Sequence, residues 1–195
     1  RPQITPGVKR LFFLGIPGLL AAGITQLNLL VSHAIATMEK SAASWLTYAD
    51  RLYQLPLGII GIAMGVALLP TLTRRLRSGD EGGAKVTLNR AVEIAAFLTI
   101  PAAFALATIP NFLLGALFER GAFTAFTTNQ VSMALEMFAY GLPAFVLLKV
   151  LTPAFFAREN TKTPMIFAAI SAIINVTLGL YLFINIGFQG LALAT

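Results

Sequence analysis

Five stretches of this chain, running approximately over residues 11–36, 45–72, 91–109, 129–152 and 165–185, are almost continuously apolar, and their length constrains the fold more than any other feature. A helix of about 20 apolar residues, rising about 1.5 Å per residue, crosses the roughly 30 Å hydrocarbon core of a bilayer. Hydrocarbon offers no hydrogen-bond partners, so a spanning segment must satisfy its own backbone groups, and a helix does so locally. The expected fold is therefore an all-α polytopic membrane protein. It forms one transmembrane helical bundle over residues 1–195, with five complete transmembrane helices and a partial sixth over 187–195, GFQGLALAT. Charged residues make up 11% of the chain, against about 25% in an ordinary soluble domain. The first stretch lacks the short apolar region and A-x-A-like cleavage site of a signal peptide, so it reads as a true span. The chain begins with Arg and stops inside an apolar run, which leads us to expect an internal piece of a longer polypeptide.

Lys and Arg are retained in short cytoplasmic loops, so their placement sets orientation. One alternate set of connections holds Arg1, Lys9, Arg10, Arg74, Arg75, Arg77, Lys85, Arg90, Arg158 and Lys162; the other holds Lys40 and Arg120. Ten against two places the N-terminal end, the 73–90 loop and the 153–164 loop in the cytoplasm. The segment around Glu39 and the FERGAFTAFTT turn then lie outside. Arg51 and Lys149 fall within or at the edge of spans.

The same features exclude several functions. There is no cysteine and one histidine, which removes disulfides and thiolate metal sites and argues against histidine-based zinc chemistry. The net charge of +6 sits in connections between apolar stretches rather than beside a soluble core, so no nucleic acid is expected as a partner. The chain has no D-D-x-x-D pair, HExxH, GxSxG with plausible partners, or phosphate-cradling Gly-rich loop, so it is not expected to be an enzyme. GDEGG at 79–83 reads as a solvated turn.

The chemistry is concentrated in SWLTYADRLYQLPLGIIGIAMGVALLP, residues 44–70. A charge at the centre of a spanning helix costs about 2.5–3.5 kcal/mol on insertion scales, so it rarely faces lipid. Asp50 and Arg51 are adjacent, hence about 100° apart on a helix, and cannot pair as residues four apart would; each needs a partner elsewhere. Projected at 100° per residue, Ser44, Thr47, Asp50, Arg51 and Gln54 fall within roughly 120°, with Gly58, Gly61 and Gly65 continuing the stripe. Trp45, Leu52, Tyr53 and Ile60 take the other side, which reads as lipid-compatible. Two readings stand here. The polar sector faces a cavity, or Asp50 and Arg51 lie at headgroup level within an aromatic belt of Trp45, Tyr48 and Tyr53, because Leu52–Thr71 alone already span the core.

Other spans carry weaker signals. Asn28 and Ser32 share a face, and Ser171, Asn175 and Gly179 recur every fourth residue; both patterns suit interhelical packing and hydrogen bonding as well as ion coordination. His33 reads as interfacial. Arg90 and Glu93 suit a surface pair at three residues' separation, Lys149 can snorkel to the boundary, and Glu136 either bonds a neighbouring helix or lines a polar cavity. Prolines 17, 56, 101, 143 and 153 interrupt helical regularity, as bent transporter helices do.

Three segments in order, ADRLYQLPLGIIGIAMGVALLPTLTR (49–74), LFERGAFT (117–124) and KVLTPAFFARENTKTP (149–164), resemble the MurJ/MviN lipid II flippases of the multidrug/oligosaccharidyl-lipid/polysaccharide exporter superfamily. The resemblance implies that the spans correspond to the seventh to eleventh of fourteen helices, in the second bundle, with part of the twelfth. It implies a flippase of the bacterial cytoplasmic (inner) membrane. Such a protein moves lipid II, the undecaprenyl-pyrophosphate-linked peptidoglycan precursor, to the outer leaflet by alternating access between two bundles. Its partners would be lipid II, membrane lipids and the remaining helices of the full-length protein; other cavity arginines lie in the first bundle, so this piece should not transport alone. The arginine of the family's ADR motif, which lies in the central cavity and is thought to engage the pyrophosphate, falls on Arg51, with Asp50 before it and Ser44 upstream. Some members bind Na+ as a coupling ion between the seventh, eleventh and twelfth helices, using a carboxylate. Here that region offers Asn28, Asn175 and Thr195 as a candidate cation site, with no acidic side chain. A drug or polysaccharide exporter on the same scaffold, or a polytopic membrane enzyme or scaffold without transport, are the alternatives.

Overall fold

A computed structural model describes residues 6–195, with the side chains of residues 6–12, 14 and 62–65 outside the described set. Arg1 of the charge count therefore lies outside the described residues, and so do the side chains of Lys9 and Arg10 and the surroundings of Gly65 in the glycine stripe. The chain is helical almost throughout: α1 (Pro6–Ala36), α2 (Ala42–Arg77), α3 (Glu81–Thr108), α4 (Pro110–Phe118), α5 (Ala125–Ala157), α6 (Lys162–Ile186) and α7 (Phe188–Ala194). Five of these, α1, α2, α3, α5 and α6, are long and apolar enough to cross a membrane, as the apolar runs require. The protein is a multi-pass membrane protein.

The helices outrun the apolar segments at the basic end. The 73–90 loop expected from charge shrinks to Ser78–Asp80, because α2 continues through Arg77 and α3 starts at Glu81; Arg and Lys are good helix formers once outside hydrocarbon. Asp80 makes that short turn workable. One carboxylate oxygen accepts the Gly83 N–H at 2.8 Å, capping α3, while the other takes Arg75 Nη1 at 3.2 Å. GDEGG is thus a turn only in its first half. Likewise the 153–164 loop reduces to residues 158–161, with α5 running through Pro143 and Pro153. The segment after the third span holds an additional short helix, α4, started by Pro110 at its first position, where the missing proline N–H costs nothing.

α5 is the central element, flanked by α2 and α3, with α4 against its start. Small residues let these backbones approach: Ala49, Ala95 and Ala134 are fully buried between them. Tyr53 stacks on Phe138 (5.4 Å) and Phe145 (5.8 Å) of α5, and Leu52 and Ile60 are also buried. This corrects the sequence reading of that side of α2. Leu52, Tyr53 and Ile60 face the protein core, and lipid compatibility and core packing are indistinguishable by residue type.

α1 and α6 form a separate parallel pair, bridged to the rest mainly by α7. At the basic end Lys162 Nζ lies 5.2 Å over the Phe13 ring; at the other, Glu39 accepts the Phe188 N–H at 3.1 Å. α7 doubles back on α6, with Gly190 so close that a β-carbon there would meet the Leu182 backbone at 2.5 Å.

Candidate functional site

On α2, Ser44, Thr47 and Arg51 stack on one face, since residues three and four apart are neighbours on a helix surface. With Ala43, Tyr48 and, from α4, Phe118 they line an open groove of about 540 Å³. Thr47 donates its hydroxyl to the Ala43 carbonyl at 2.7 Å and so offers the groove lone pairs alone. The side chains of Ser44 and Arg51 have no hydrogen-bond or ion-pair partner among the described residues. The groove therefore presents a permanently charged guanidinium, a hydroxyl and two aromatic walls.

LFERGAFT builds the opposite wall. Phe118 ends α4, the chain turns through Gly121 at φ +61°, and Phe118 and Phe123 clasp Tyr48 with ring centroids 5.6 and 5.2 Å away. Glu119 fixes the turn to α5 by accepting the Thr128 hydroxyl at 2.8 Å; Thr128 itself is buried. Neither Phe118 nor Tyr48 was singled out by sequence as a site residue. An aromatic beside a turn carries no local mark of which helix it will meet.

Asp50 is not among the residues lining the groove. Its carboxylate accepts Gln54 Nε2 on the same helix, and His33 of α1 lies within electrostatic reach. The polar sector drawn from sequence is thus divided: Ser44, Thr47 and Arg51 face the groove, while Asp50 and Gln54 pair at its edge. Farther along the stripe, Gly61 leaves room for the Lys149 stem, whose Cγ would lie 3.5 Å from a β-carbon there. The expected aromatic belt also resolves. Tyr53 is core, and Trp45 packs on Phe126 and Phe188.

A second polar cluster lies where α1, α6 and α7 meet. Ser32 donates to Asn175 Oδ1 at 3.2 Å, and Asn175 Nδ2 donates to the Ala194 carbonyl at 2.8 Å. Asn28 Oδ1 is buried without a hydrogen-bond partner, while Thr195 donates to the Leu191 carbonyl. Oxygen donors suit a hard cation such as Na+ in kind, and the orphaned Asn28 oxygen is the best of them. No group of three or more His, Cys, Asp or Glu side chains able to hold a metal occurs among the described residues; Asn28, Asn175 and Thr195 are themselves neutral donors. Arg90 and Glu93 form no ion pair among the described residues, and Glu136 accepts the Tyr140 hydroxyl at 3.1 Å.

A family model described as lipid II flippase MurJ matches residues 1–195. A probable lipid II flippase MurJ of Rhizobium meliloti (strain 1021) is 50% identical over 194 residues, 100% of this chain and 36% of that protein. One of Rhizobium tropici is 48% identical over 193 residues, 99% of this chain and 36% of that protein. A solved structure of lipid II flippase MurJ in an inward closed conformation matches with a TM-score of 0.84 at 27% identity, over 100% of this chain and 42% of that one. The chain spans just over a third of the length of these curated relatives.

Proposed function

The chain belongs to the lipid II flippase MurJ family, and from that premise we propose that it forms the second helical bundle of a flippase. The full protein carries lipid II, the undecaprenyl-pyrophosphate-linked peptidoglycan precursor, from the cytoplasmic to the outer leaflet of the bacterial inner membrane. Arg51 is the anion anchor. The observation that carries this reading is a guanidinium that faces an open groove beside the Ser44 hydroxyl, neither group having a side-chain partner among the described residues. A guanidinium left in hydrocarbon costs about 2.5–3.5 kcal/mol or more, so the groove must be wet or hold an anion. Its planar fork matches phosphate oxygens two at a time, which an ammonium does not. Tyr48 and Phe118 bound the space beside the anion with rigid apolar faces. Asp50, held by Gln54, sets the charge balance at the groove's edge without competing for the guanidinium.

Asn28, Asn175 and Thr195 would hold a coupling Na+ in this scheme. Because these donors are neutral, membrane potential acting on Arg51 is the alternative drive, at about 2.3 kcal/mol per charge moved through 100 mV. The test is made in the full-length protein. Arg51→Ala should abolish growth in a complementation assay and remove newly exposed lipid II from the outer leaflet, Arg51→Lys should restore part of both, and Asp50→Asn should be milder. Normal growth with normal outer-leaflet lipid II in Arg51→Ala would refute the anchor.

A further inference from the structure

The basic end of α2 carries Arg74, Arg75 and Arg77 in its last turn. Retention of positive charge on the cytoplasmic side and the negative end of the helix dipole both favour cations there. Neither reason explains why the three arginines divide. Arg75 turns toward the 78–80 connection and pairs with Asp80 at 3.2 Å. Arg74 and Arg77, three residues apart and so on one side, have no hydrogen-bond or ion-pair partner among the described residues. They line an open groove of about 420 Å³ with Leu69, Pro70 and Thr73.

We propose that this groove is a second anion site, which takes the phosphoryl group of a lipid headgroup in the cytoplasmic leaflet. Two guanidinium forks bring more donors than one carboxylate can accept, whereas a phosphoryl group offers three or more oxygens and can bridge both. Thr73 adds no donor of its own, because its hydroxyl is committed to the Leu69 carbonyl at 2.8 Å. The floor, Leu69 and Pro70, is apolar, and Val66 one turn nearer the hydrocarbon is 72% exposed. A ligand with a phosphate head and an alkyl tail fits this progression from charged to apolar, and a free phosphate uses only half of it. Arg74 lies 23 residues from Arg51 on the same helix, about 35 Å along its axis, close to one bilayer core thickness.

The site does not depend on Arg51 or on transport, so it is tested by binding alone. Purified full-length protein in detergent is titrated by native mass spectrometry with phosphatidic acid, with phosphatidylcholine as the zwitterionic control and inorganic pyrophosphate as the lipid-free probe. Arg74→Gln and Arg77→Gln should each weaken phosphatidic acid binding by about tenfold or more, as expected for loss of a charge-assisted pair. Arg77→Lys, which keeps the charge and loses the fork, should fall between. Arg75→Gln removes the same charge from the same turn and should change affinity less than about twofold. Pyrophosphate should bind at least about tenfold more weakly than phosphatidic acid. Equal losses in all three glutamine variants, or no loss in any, would overturn the site in favour of a diffuse basic surface. Pyrophosphate bound as tightly as the lipid, and weakened by Arg74→Gln and Arg77→Gln, would overturn the headgroup assignment.

Discussion

Gly190→Ala tests how the α1, α6 and α7 group is held together. A β-carbon at position 190 would lie 2.5 Å from the Leu182 carbonyl carbon and 2.7 Å from its oxygen, and these atoms belong to the α6 backbone, which cannot rotate away. α7 must therefore lift from α6. Overpacking of this kind costs about 1–3 kcal/mol. The displacement also draws the Ala194 carbonyl away from Asn175 Nδ2, now 2.8 Å distant; interhelical bonds in membranes average about 0.6 kcal/mol. The expected destabilisation of the full-length protein is therefore about 2–3 kcal/mol, read from SDS-induced unfolding in mixed micelles. Asn175→Ala breaks the same bond, so the double variant should be less destabilised than the sum of the singles by about 0.6 kcal/mol or more. An unchanged unfolding midpoint in Gly190→Ala, or strict additivity with Asn175→Ala, would refute the reasoning.

Gly83→Ala should lose the α3 cap, because a β-carbon would sit 2.0 Å from both Asp80 Oδ2 and Arg75 Nη1; the cost is about 1 kcal/mol, and faster amide exchange at residues 81–84 would report it. Thr128→Val should leave the Glu119 carboxylate without its donor and loosen the turn carrying Phe118, destabilising the protein by about 1–3 kcal/mol; a melting temperature equal to the parent's would count against that role. Tyr48→Ala should open the wall beside Arg51 and raise the reactivity of a cysteine introduced at Ser44 toward a water-soluble maleimide, whereas Tyr48→Phe should not.

Span length was readable because it depends on composition over about 20 residues and not on tertiary context. Where helices end was not readable. Arg74–Arg77, Lys85 and Arg90 mark the boundary of hydrocarbon, and that boundary is not the end of a helix: the backbone hydrogen bonds of α2 and α3 continue in water until Asp80 offers a cap. α4 escaped notice for a related reason. PNFLLGALF is nine residues long, too short to span and too apolar to look like a loop, and its identity comes from packing Leu114 into the core beside α5. Pro143 and Pro153 mark weakened helix positions, yet α5 passes through both, since the packing of its buried face, with Leu142, Val146 and Val150 in the core, holds its remaining hydrogen bonds in place.

The site shows the same division between what a single helix specifies and what only packing decides. The polar sector of α2 was visible from periodicity, and so was the impossibility of Asp50 and Arg51 neutralising each other. The 100° between adjacent residues that forbids their pairing also carries Asp50 off the groove, to where Gln54, one turn on, satisfies it locally. The sector's width of roughly 120° was too coarse to separate the two. Which of them faces the open space was decided by α4 and the LFERGAFT turn, which close over Tyr48 and leave Arg51 beside the opening. Likewise Leu52, Tyr53 and Ile60 could have faced lipid or α5, because hydrocarbon and a protein core impose the same preference for apolar side chains. Only the buried alanines at the α2–α5 contact, which admit close backbone approach, distinguish a packed face from a lipid-facing one. Arg51 is therefore left without an ion-pair partner among the described residues, and a guanidinium so placed persists only where water or an anionic ligand can reach it.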